Sequence, residues 1–303
     1  MTSHLRRRLT PILVASCFAC GPTSPPPQAP ASGSAVAVSR AAPVRASRAE
    51  RRALSAKALL ALNRGDYASC ASLYEAASDL YMAASCLSLG GNLDAALAKL
   101  ALAIDGGYRD LRRLDSDVSF AALHGDLRWV TERSRLVVKI AEDAKRTNPE
   151  LLRIYKEDQA DRVGSFEAID RSKVGARDQL RRTQVDKILS AGGAKVSIDF
   201  FHAAMVYQHG DSVAEFQRAH ELALKAVELD PENNAARWLA AAAEDRKLMN
   251  ENKPQKWGTQ SHQVDGLWVV WEVDPTITNE QRAEWNVPPL APAKARERQV
   301  NQH

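Results

Sequence analysis

The stretch that decides the fold is residues 65–105, GDYASCASLYEAASDLYMAASCLSLGGNLDAALAKLALAID. Alanine and leucine recur there at helical spacing, and glycines break the pattern at Gly65 and at Gly90-Gly91. No proline occurs between residues 44 and 148, so nothing interrupts helices in this part of the chain. We predict helices over 48–63, 66–77, 80–89 and 92–105, the first opened by a Ser47-x-x-Glu50 capping box.

Two parts of this stretch resemble each other and the second helix of a tetratricopeptide repeat. The matching sets are Tyr67, Cys70, Tyr74, Ala77 and Leu93, Ala96, Leu100, Ala103. In such repeats the small residue lets neighbouring helices approach, and the large one fills the groove between them. The two sets lie 26 residues apart, whereas the usual period is about 34 residues. We therefore predict degenerate tetratricopeptide-like helical hairpins, with an ordinary alanine-rich helical bundle as the alternative.

A second helical region follows Asn148-Pro149. Its helices are expected over 149–163, 175–191, 198–209, 213–229 and 233–250. Gly266 separates two short runs, the second rich in β-forming residues, which predicts a short hairpin. The predicted fold class is therefore mainly α, with tetratricopeptide-like helical hairpins followed by a helical domain with a short β-hairpin near the carboxy terminus.

The amino terminus has the pattern of an export signal. Arg6-Arg7-Arg8 is followed by a short apolar run, and Val14-Ala15-Ser16-Cys17 fits a lipobox, so the segment resembles those of bacterial lipoproteins. Cys17 is the predicted lipidation site and Cys20 the fallback. The alternative for this cysteine pair is a CxxC redox or metal motif. The Pro/Ala/Ser-rich residues 21–46 are predicted to form a tether, because they cannot bury a core.

Charge is distributed unevenly along the 303 residues. The formal net charge is +4, but residues 1–52 hold eight arginines and one acid, so the remainder is slightly acidic. Composition therefore gives no case for a nucleic-acid partner. Phe18 occupies the position after Cys17 where aspartate often retains lipoproteins in the inner membrane. We predict a cell-envelope protein held to the membrane only by its lipid anchor, with the outer membrane facing the periplasm favoured.

The predicted domain organisation follows these changes of character. Its segments are a lipoprotein signal region (1–20), the tether (21–46), a degenerate helical-repeat domain (47–147), a helical domain (148–292) and a disordered tail (293–303). Cys70 and Cys86 fall on successive predicted helices. In an exported protein they can form a disulfide; otherwise they are small buried hydrophobes.

Polar residues on apolar helical faces are the candidates for chemistry. Asp158 and Arg162 share a helical face with Leu151 and Tyr155, Asp245 shares one with Trp238, Ala242 and Met249, and His209 shares one with His202 and Val206. A buried carboxylate needs a partner. We therefore expect these groups to meet one another or to face a cavity.

These residues also form an ordered set of motifs. Asp158-Gln159-x-x-Arg162, Gln208-His209-x-Asp211, Asp245-Arg246 and Gln255-x-Trp257-Gly258-Thr259-Gln260 follow in that order. The set resembles a bacterial family known only as a domain of unknown function, over about residues 149–292. Family members usually have Tyr where Trp257 stands, and a Gly-Trp-Pro-like turn near Gly192-Gly193-Ala194. The resemblance implies no activity.

The site hypothesis makes His209, Asp158 and Asp245 catalytic candidates in an acid/base or metal-binding constellation. The binding candidates are Gln159, Arg162, Gln208, Arg246, Thr259 and Gln260. Each group also has a structural interpretation: an i,i+4 ion pair for Asp158 and Arg162, a helix cap for Asp211 or Ser212, an interhelical tie for Asp245-Arg246, and a hydrogen-bonded core position for a single interior histidine.

Three functional hypotheses follow. The leading one is an exported lipoprotein whose helical hairpins bind a protein or peptide partner and whose second domain contains a buried polar site. The second is a hydrolase or metal-dependent enzyme using the His209, Asp158 and Asp245 cluster. The third is a passive envelope scaffold. No HExxH, Walker A, GxSxG or paired-CxxC motif is present, so no reaction, cofactor or metal ligand is assigned.

Overall fold

The computed structural model describes residues 46–163 and 171–291, with the side chains of residues 171 and 172 left out of that description. The predictions for the signal region, most of the tether and the tail concern residues outside these ranges. The helices are α1 (Arg48–Asn63), α2 (Tyr67–Ala76), α3 (Leu80–Leu89), α4 (Leu93–Asp105), α5 (Leu111–Ser116), a 3₁₀ helix (Val118–Leu123), α6 (Leu127–Arg146), α7 (Pro149–Ala160), α8 (Arg171–Ser190), α9 (Ser197–Gln208), α10 (Val213–Leu229), α11 (Asn234–Asn250) and α12 (Asn279–Glu284). The predicted mainly α fold is confirmed.

Short acidic or amide side chains begin the early helices. Asp66, Asp79 and Asn92 each accept a hydrogen bond from the backbone N–H three residues later, at 3.1, 3.0 and 3.3 Å. Such caps satisfy amides that have no partner inside the helix. The Ser47 capping box at the start of α1 is confirmed as well. These caps explain why the predicted boundaries of the first four helices agree with the structure to within a residue.

Helices α1 to α4 pack in chain order, each on the next. Most residues of the predicted repeat face are buried: Cys70 and Leu100 have no exposed surface, and Tyr74 is 6 % exposed. Tyr67 and Leu93, which begin α2 and α4, are half-buried. Cys70 and Cys86 form a disulfide between α2 and α3, with their Cα atoms 5.9 Å apart. The consecutive helical hairpins are therefore present, and their likeness to tetratricopeptide repeats stays a prediction.

A separate core lies among α7, α9, α10 and α11. Its packing depends on small side chains, because Ala236, Ala240 and Ala243 of α11 have no exposed surface and let α10 and α9 approach closely. Helix α7 ends at Ala160 rather than at residue 163, and α8 begins at Arg171 rather than at residue 175. The domain boundary at residue 148 stays a prediction, although distinct cores lie on its two sides.

The predicted hairpin consists of β1 (Ser261–Val264) and β2 (Leu267–Val270), which pair antiparallel. Its turn is Asp265-Gly266, with φ of 51° and 81°. Two successive positive φ angles are the geometry of a two-residue turn that follows the strand twist, which explains the glycine. Helix α12 follows in a part of the chain for which the sequence predicted no helix, and it packs against α1.

Among the helices of residues 46–163 and 171–291, none has the length and apolar character needed to cross a membrane.

Candidate functional site

Asp158 lies on the buried face of α7, one turn beyond Ile154, and none of its surface is exposed. A carboxylate in such a place needs donors, because an unpaired buried charge is strongly destabilising. Three side chains supply them: Gln159 Nε2 at 2.8 Å, Arg162 Nη1 at 3.0 Å and His209 Nδ1 at 2.9 Å. The structure thus brings four of the predicted site residues together.

His209 follows the last turn of α9 and reaches across to α7. Its Nδ1 lies 2.9 and 3.1 Å from the two carboxylate oxygens of Asp158. Donation to a carboxylate places an N–H on Nδ1, so the neutral form of this imidazole has its lone pair on Nε2. Among the described residues Nε2 has no hydrogen-bond partner, and the His209 side chain is 18 % exposed. A carboxylate-oriented imidazole with an open Nε2 is the arrangement that a general base requires.

Helix α8 extends the cluster with charged residues that the sequence analysis missed. Arg162 Nη2 donates to Asp178 at 2.5 Å, so this arginine bridges two buried carboxylates. Asp178 also accepts from Arg181 at 2.8 Å, and Arg181 in turn pairs with Asp161. Asp178 is 4 % and Arg181 6 % exposed. The i,i+4 pair of Asp158 and Arg162 is therefore one link of a larger network.

A sequence signal for these α8 residues does exist. Val174, Asp178, Arg181 and Val185 are spaced four, three and four, as are the face residues of α7, and all four are buried. The many arginines and lysines of α8 hide this face, because they give the helix a polar character on every side.

Arg246 connects α11 with the end of α9 and with the loop after α11. Its Nη1 donates to the backbone oxygen of Gln208 at 2.6 Å, and its Nε donates to Gln260 Oε1 at 2.9 Å. Burial lowers the pKa of Arg246, and the neighbouring Arg162 cation lowers it further. Gln208 Oε1 is buried and accepts no hydrogen bond from the described residues. Arg246, Gln208 and Gln260 therefore adjoin the Asp158 cluster on its α11 side.

Asp245 does not contact His209; its carboxylate organises the loop after α11. Oδ1 accepts from the backbone N–H groups of Lys256 at 2.8 Å and Trp257 at 2.9 Å, and Oδ2 accepts from the N–H of Thr259 at 3.0 Å and its hydroxyl at 2.8 Å. Burial raises the pKa of Asp245, and the four donors act against that rise. Asp245 and Thr259 are therefore bonded to each other rather than to His209, and their roles as catalytic and binding candidates stay predictions.

Three other residues singled out in the sequence lie outside the cluster: Ser212, Asp211 and His202. Ser212 forms the capping box of α10 with Glu215, and Asp211 is 80 % exposed and 3.5 Å from Arg182. His202 is buried, stacks on Tyr155 with a centroid distance of 4.5 Å, and has an Nδ1 without a partner among the described residues. Burial lowers the pKa of His202 to about 4, so this imidazole is neutral at physiological pH.

Ligand groups for a metal are not assembled in the described ranges. No group of three or more histidine, cysteine, aspartate or glutamate side chains there is arranged to hold an ion. Two clefts of about 450 and 650 Å³ lie elsewhere, and neither is lined by Asp158, His209 or Arg246. Among the described residues, the cluster thus has two acceptors without a donor, the partly exposed His209 Nε2 and the buried Gln208 Oε1.

Comparison with known proteins adds no assignment. No family model, no curated protein and no solved structure matches this chain. The resemblance of residues 149–292 to a bacterial family of unknown function therefore stays a prediction.

Proposed function

We propose that this protein is a lipid-anchored bacterial envelope protein that binds a segment of a protein partner through its amino-terminal helical hairpins. The lipobox at Cys17, with Cys20 as fallback, supports the anchor, and the tether that follows supports a body held away from the membrane. The outer membrane, on its periplasmic side, is the proposed location.

Partner binding is favoured over catalysis because the accessible cleft lies at the helical hairpins, whereas the polar cluster around Asp158 is buried. The cleft of about 450 Å³ is lined mostly by residues of α1, of the α2–α3 turn and of the end of α4, with Glu232, Asn234, Ala283 and Asn286 on its other side. Asp158, by contrast, is fully buried and accepts hydrogen bonds from Gln159, Arg162 and His209. The hairpins also carry Leu59 and Leu60 next to each other on α1, 49 % and 57 % exposed. Adjacent exposed leucines are a feature of surfaces that contact other proteins.

Mass spectrometry of the mature amino terminus tests the anchor. The expected product begins at Cys17 and carries a diacylglyceryl group, and Cys17→Ser abolishes both the cleavage and the lipid. Cys20→Ser is the matched control and leaves the product unchanged. An uncleaved, unmodified amino terminus in the wild type contradicts the proposed localisation.

In-cell crosslinking of the full-length protein tests partner binding. The wild type is expected to give one defined crosslinked species, which Leu59→Ser/Leu60→Ser removes. Leu229→Ser is the control, because Leu229 is 44 % exposed but lies on α10, outside the hairpins. A pattern that is the same in all three proteins, or the absence of any crosslinked species, overturns the binding role and leaves the passive scaffold.

The open Nε2 of His209 favours a second candidate function, acid–base hydrolysis at the Asp158–His209 pair. The described residues assemble no group of three metal ligands, so the proposed reaction uses the side chains alone. The test measures turnover of p-nitrophenyl acetate and p-nitrophenyl phosphate by the wild type, His209→Ala and Asp158→Asn. His124→Ala is the control, since His124 lies against Trp129 in the other half of the chain. Equal rates in the wild type and His209→Ala eliminate this function.

A further inference from the structure

The cleft of about 450 Å³ lies where α1 meets the carboxy-terminal half of the chain. We call it the arginine cleft, because Arg48, Arg51 and Arg52 of α1 line one side of it. The opposite side includes Glu232 at the α10–α11 junction. A cleft of this volume is suited to a small molecule or a few residues of extended chain rather than to a folded domain.

The three guanidinium groups are incompletely neutralised. Glu232 is shared between Arg48 at 3.3 Å and Arg51 at 3.6 Å. Arg52 Nη1 donates to the backbone oxygen of Val287 at 2.6 Å, and no carboxylate of the described residues pairs with Arg52. The other acid in the lining, Asp79, is turned to the start of α3, where it accepts from the Met82 N–H.

Partial burial strengthens the effect of this excess of positive charge in the cleft. Desolvation lowers the pKa of both Arg48 and Arg52, which shows that the surroundings disfavour the cations. A partly desolvated guanidinium without a counter-ion gains from a carboxylate, which it can bind through two parallel hydrogen bonds. The cleft therefore has the electrostatics of a site for an anion.

An aromatic wall adds a second requirement for the ligand. Tyr108 is half-buried and lines the cleft, and its ring stacks on that of Tyr81, with centroids 4.3 Å apart and planes 11° apart. Tyr81 is only 4 % exposed, and Arg113 lies over its ring, so Tyr81 supports Tyr108 from behind. The Tyr81 hydroxyl is engaged with Asp117 at 2.7 Å, so the tyrosine is held in place. Rigid aromatic rings contact apolar side chains at little entropic cost. A ligand that combines carboxylates with apolar side chains fits both sides of the cleft.

We propose that the arginine cleft binds a short acidic segment of a protein, whose carboxylates pair with Arg51 and Arg52 and whose apolar side chains pack on Tyr108. This inference rests on the proposed partner-binding function and names the segment that the partner contributes. Glu232 is the internal competitor of the ligand, because it occupies Arg51 when the cleft is empty.

Isothermal titration calorimetry of the full-length protein tests this proposal. The probe is an acetylated, amidated hexapeptide of alternating glutamate and leucine, and the comparison probe has glutamine at the glutamate positions. Arg51→Gln and Arg52→Gln are each expected to weaken binding of the acidic peptide about tenfold, or about 1.4 kcal/mol. Arg112→Gln is the matched control, since Arg112 is exposed and lies outside the cleft.

Glu232→Gln distinguishes direct binding by the arginines from a purely structural role of these residues. Removing the competing carboxylate is expected to tighten binding of the acidic peptide several-fold, while loss of α1 docking only weakens it. Three results overturn the proposal: no binding of the acidic peptide at millimolar concentration, equal binding of the glutamine peptide, or displacement of the peptide by equimolar inorganic phosphate.

The failure of this proposal is distinguishable from failure of the proposed function. If the crosslinked partner of the wild type is retained in full by both Arg51→Gln and Arg52→Gln, partner binding stands and the arginine cleft is not its site. If no partner is crosslinked but the acidic peptide binds as predicted, the cleft stands and the role of the exposed leucines falls.

Discussion

Replacement of Asp245 by alanine tests the structural role that its contacts indicate. The side chain has no exposed surface and accepts four hydrogen bonds, three from backbone N–H groups of residues 256–259 and one from the Thr259 hydroxyl. Asp245→Ala leaves these donors without an acceptor in a buried loop. Asp245→Asn keeps the shape of the side chain but places an amide NH₂ next to one set of donors, so it is expected to be disruptive as well.

The magnitude follows from the number and kind of donors. An unsatisfied buried donor costs about 1–3 kcal/mol, with partial recovery where the loop opens to water. For Asp245→Ala we expect the free energy of unfolding to fall by about 3–5 kcal/mol, the range seen when a buried charged partner is removed. This is a large fraction of the about 5–15 kcal/mol that stabilises a typical domain.

Two measurements on the full-length protein check this prediction. Urea unfolding followed by tryptophan fluorescence gives the global change, and hydrogen exchange of the Trp257 and Thr259 amides gives the local one. Glu272→Ala is the control, since this exposed side chain forms no hydrogen bond or ion pair with the described residues, and it is expected to change stability by less than about 0.5 kcal/mol. A loss below about 1 kcal/mol in Asp245→Ala, with unchanged exchange at the two amides, refutes the loop role.

Two further predictions concern stability. Cys70→Ala/Cys86→Ala opens a loop of 16 residues and is expected to lower the free energy of unfolding by about 3 kcal/mol; a thermal melt under non-reducing conditions that matches the wild type contradicts it. Burial lowers the pKa of His202 to about 4. The neutral imidazole therefore contributes fully to the free energy of unfolding above the unfolded pKa of about 6.5, and this contribution, about 3 kcal/mol, is lost as the pH falls towards 4. His202→Phe should flatten the slope of stability between pH 6.5 and 4, and an unchanged slope contradicts this cause.

The helical framework was predictable because its determinants are local. Caps such as Asp66 and Asn92, and the spacing of small and large residues in α2 and α4, are all contained within one turn or one helix. The hairpin turn at Asp265-Gly266 is local in the same sense. Helix α12 was missed because it is only six residues long and lies between prolines, in a stretch that looked irregular.

The polar cluster was predictable in part, for a different reason. A carboxylate on an apolar face has to find a partner, which correctly suggested that Asp158 and His209 meet. Spacing within a helix does not reveal which distant segment supplies that partner. Asp245 is the example: its face position is equivalent to that of Asp158, yet its donors come from a loop 11 to 14 residues further along the chain rather than from His209.

Arg282 is the buried residue that was hardest to predict from the sequence. Among residues 46–163 and 171–291 it is the largest fully buried side chain, 1 % exposed, and its guanidinium donates to the backbone oxygen of Trp257. Arginine is among the residues least often buried, so neither composition nor periodicity of α12 suggested this position. The tight approach at Gly258, where a Cβ would lie 2.9 Å from Arg282 Nη1, explains the glycine in the Trp-Gly-Thr-Gln motif.

The docking of α1 on α12 has a consequence for biogenesis. The Arg48 amide donates to Glu284, 236 residues away, and the Arg52 guanidinium donates to Val287, 235 residues away. A ribosome releases the amino terminus first, so α1 can pack on α2 early, whereas its contacts with Glu284 and Val287 form only after those residues have been made. A product truncated before α12 lacks these acceptors for Arg48 and Arg52. Such a product leaves the α12-facing side of α1 uncovered, so truncation near residue 279 exposes a surface more than 200 residues earlier in the chain.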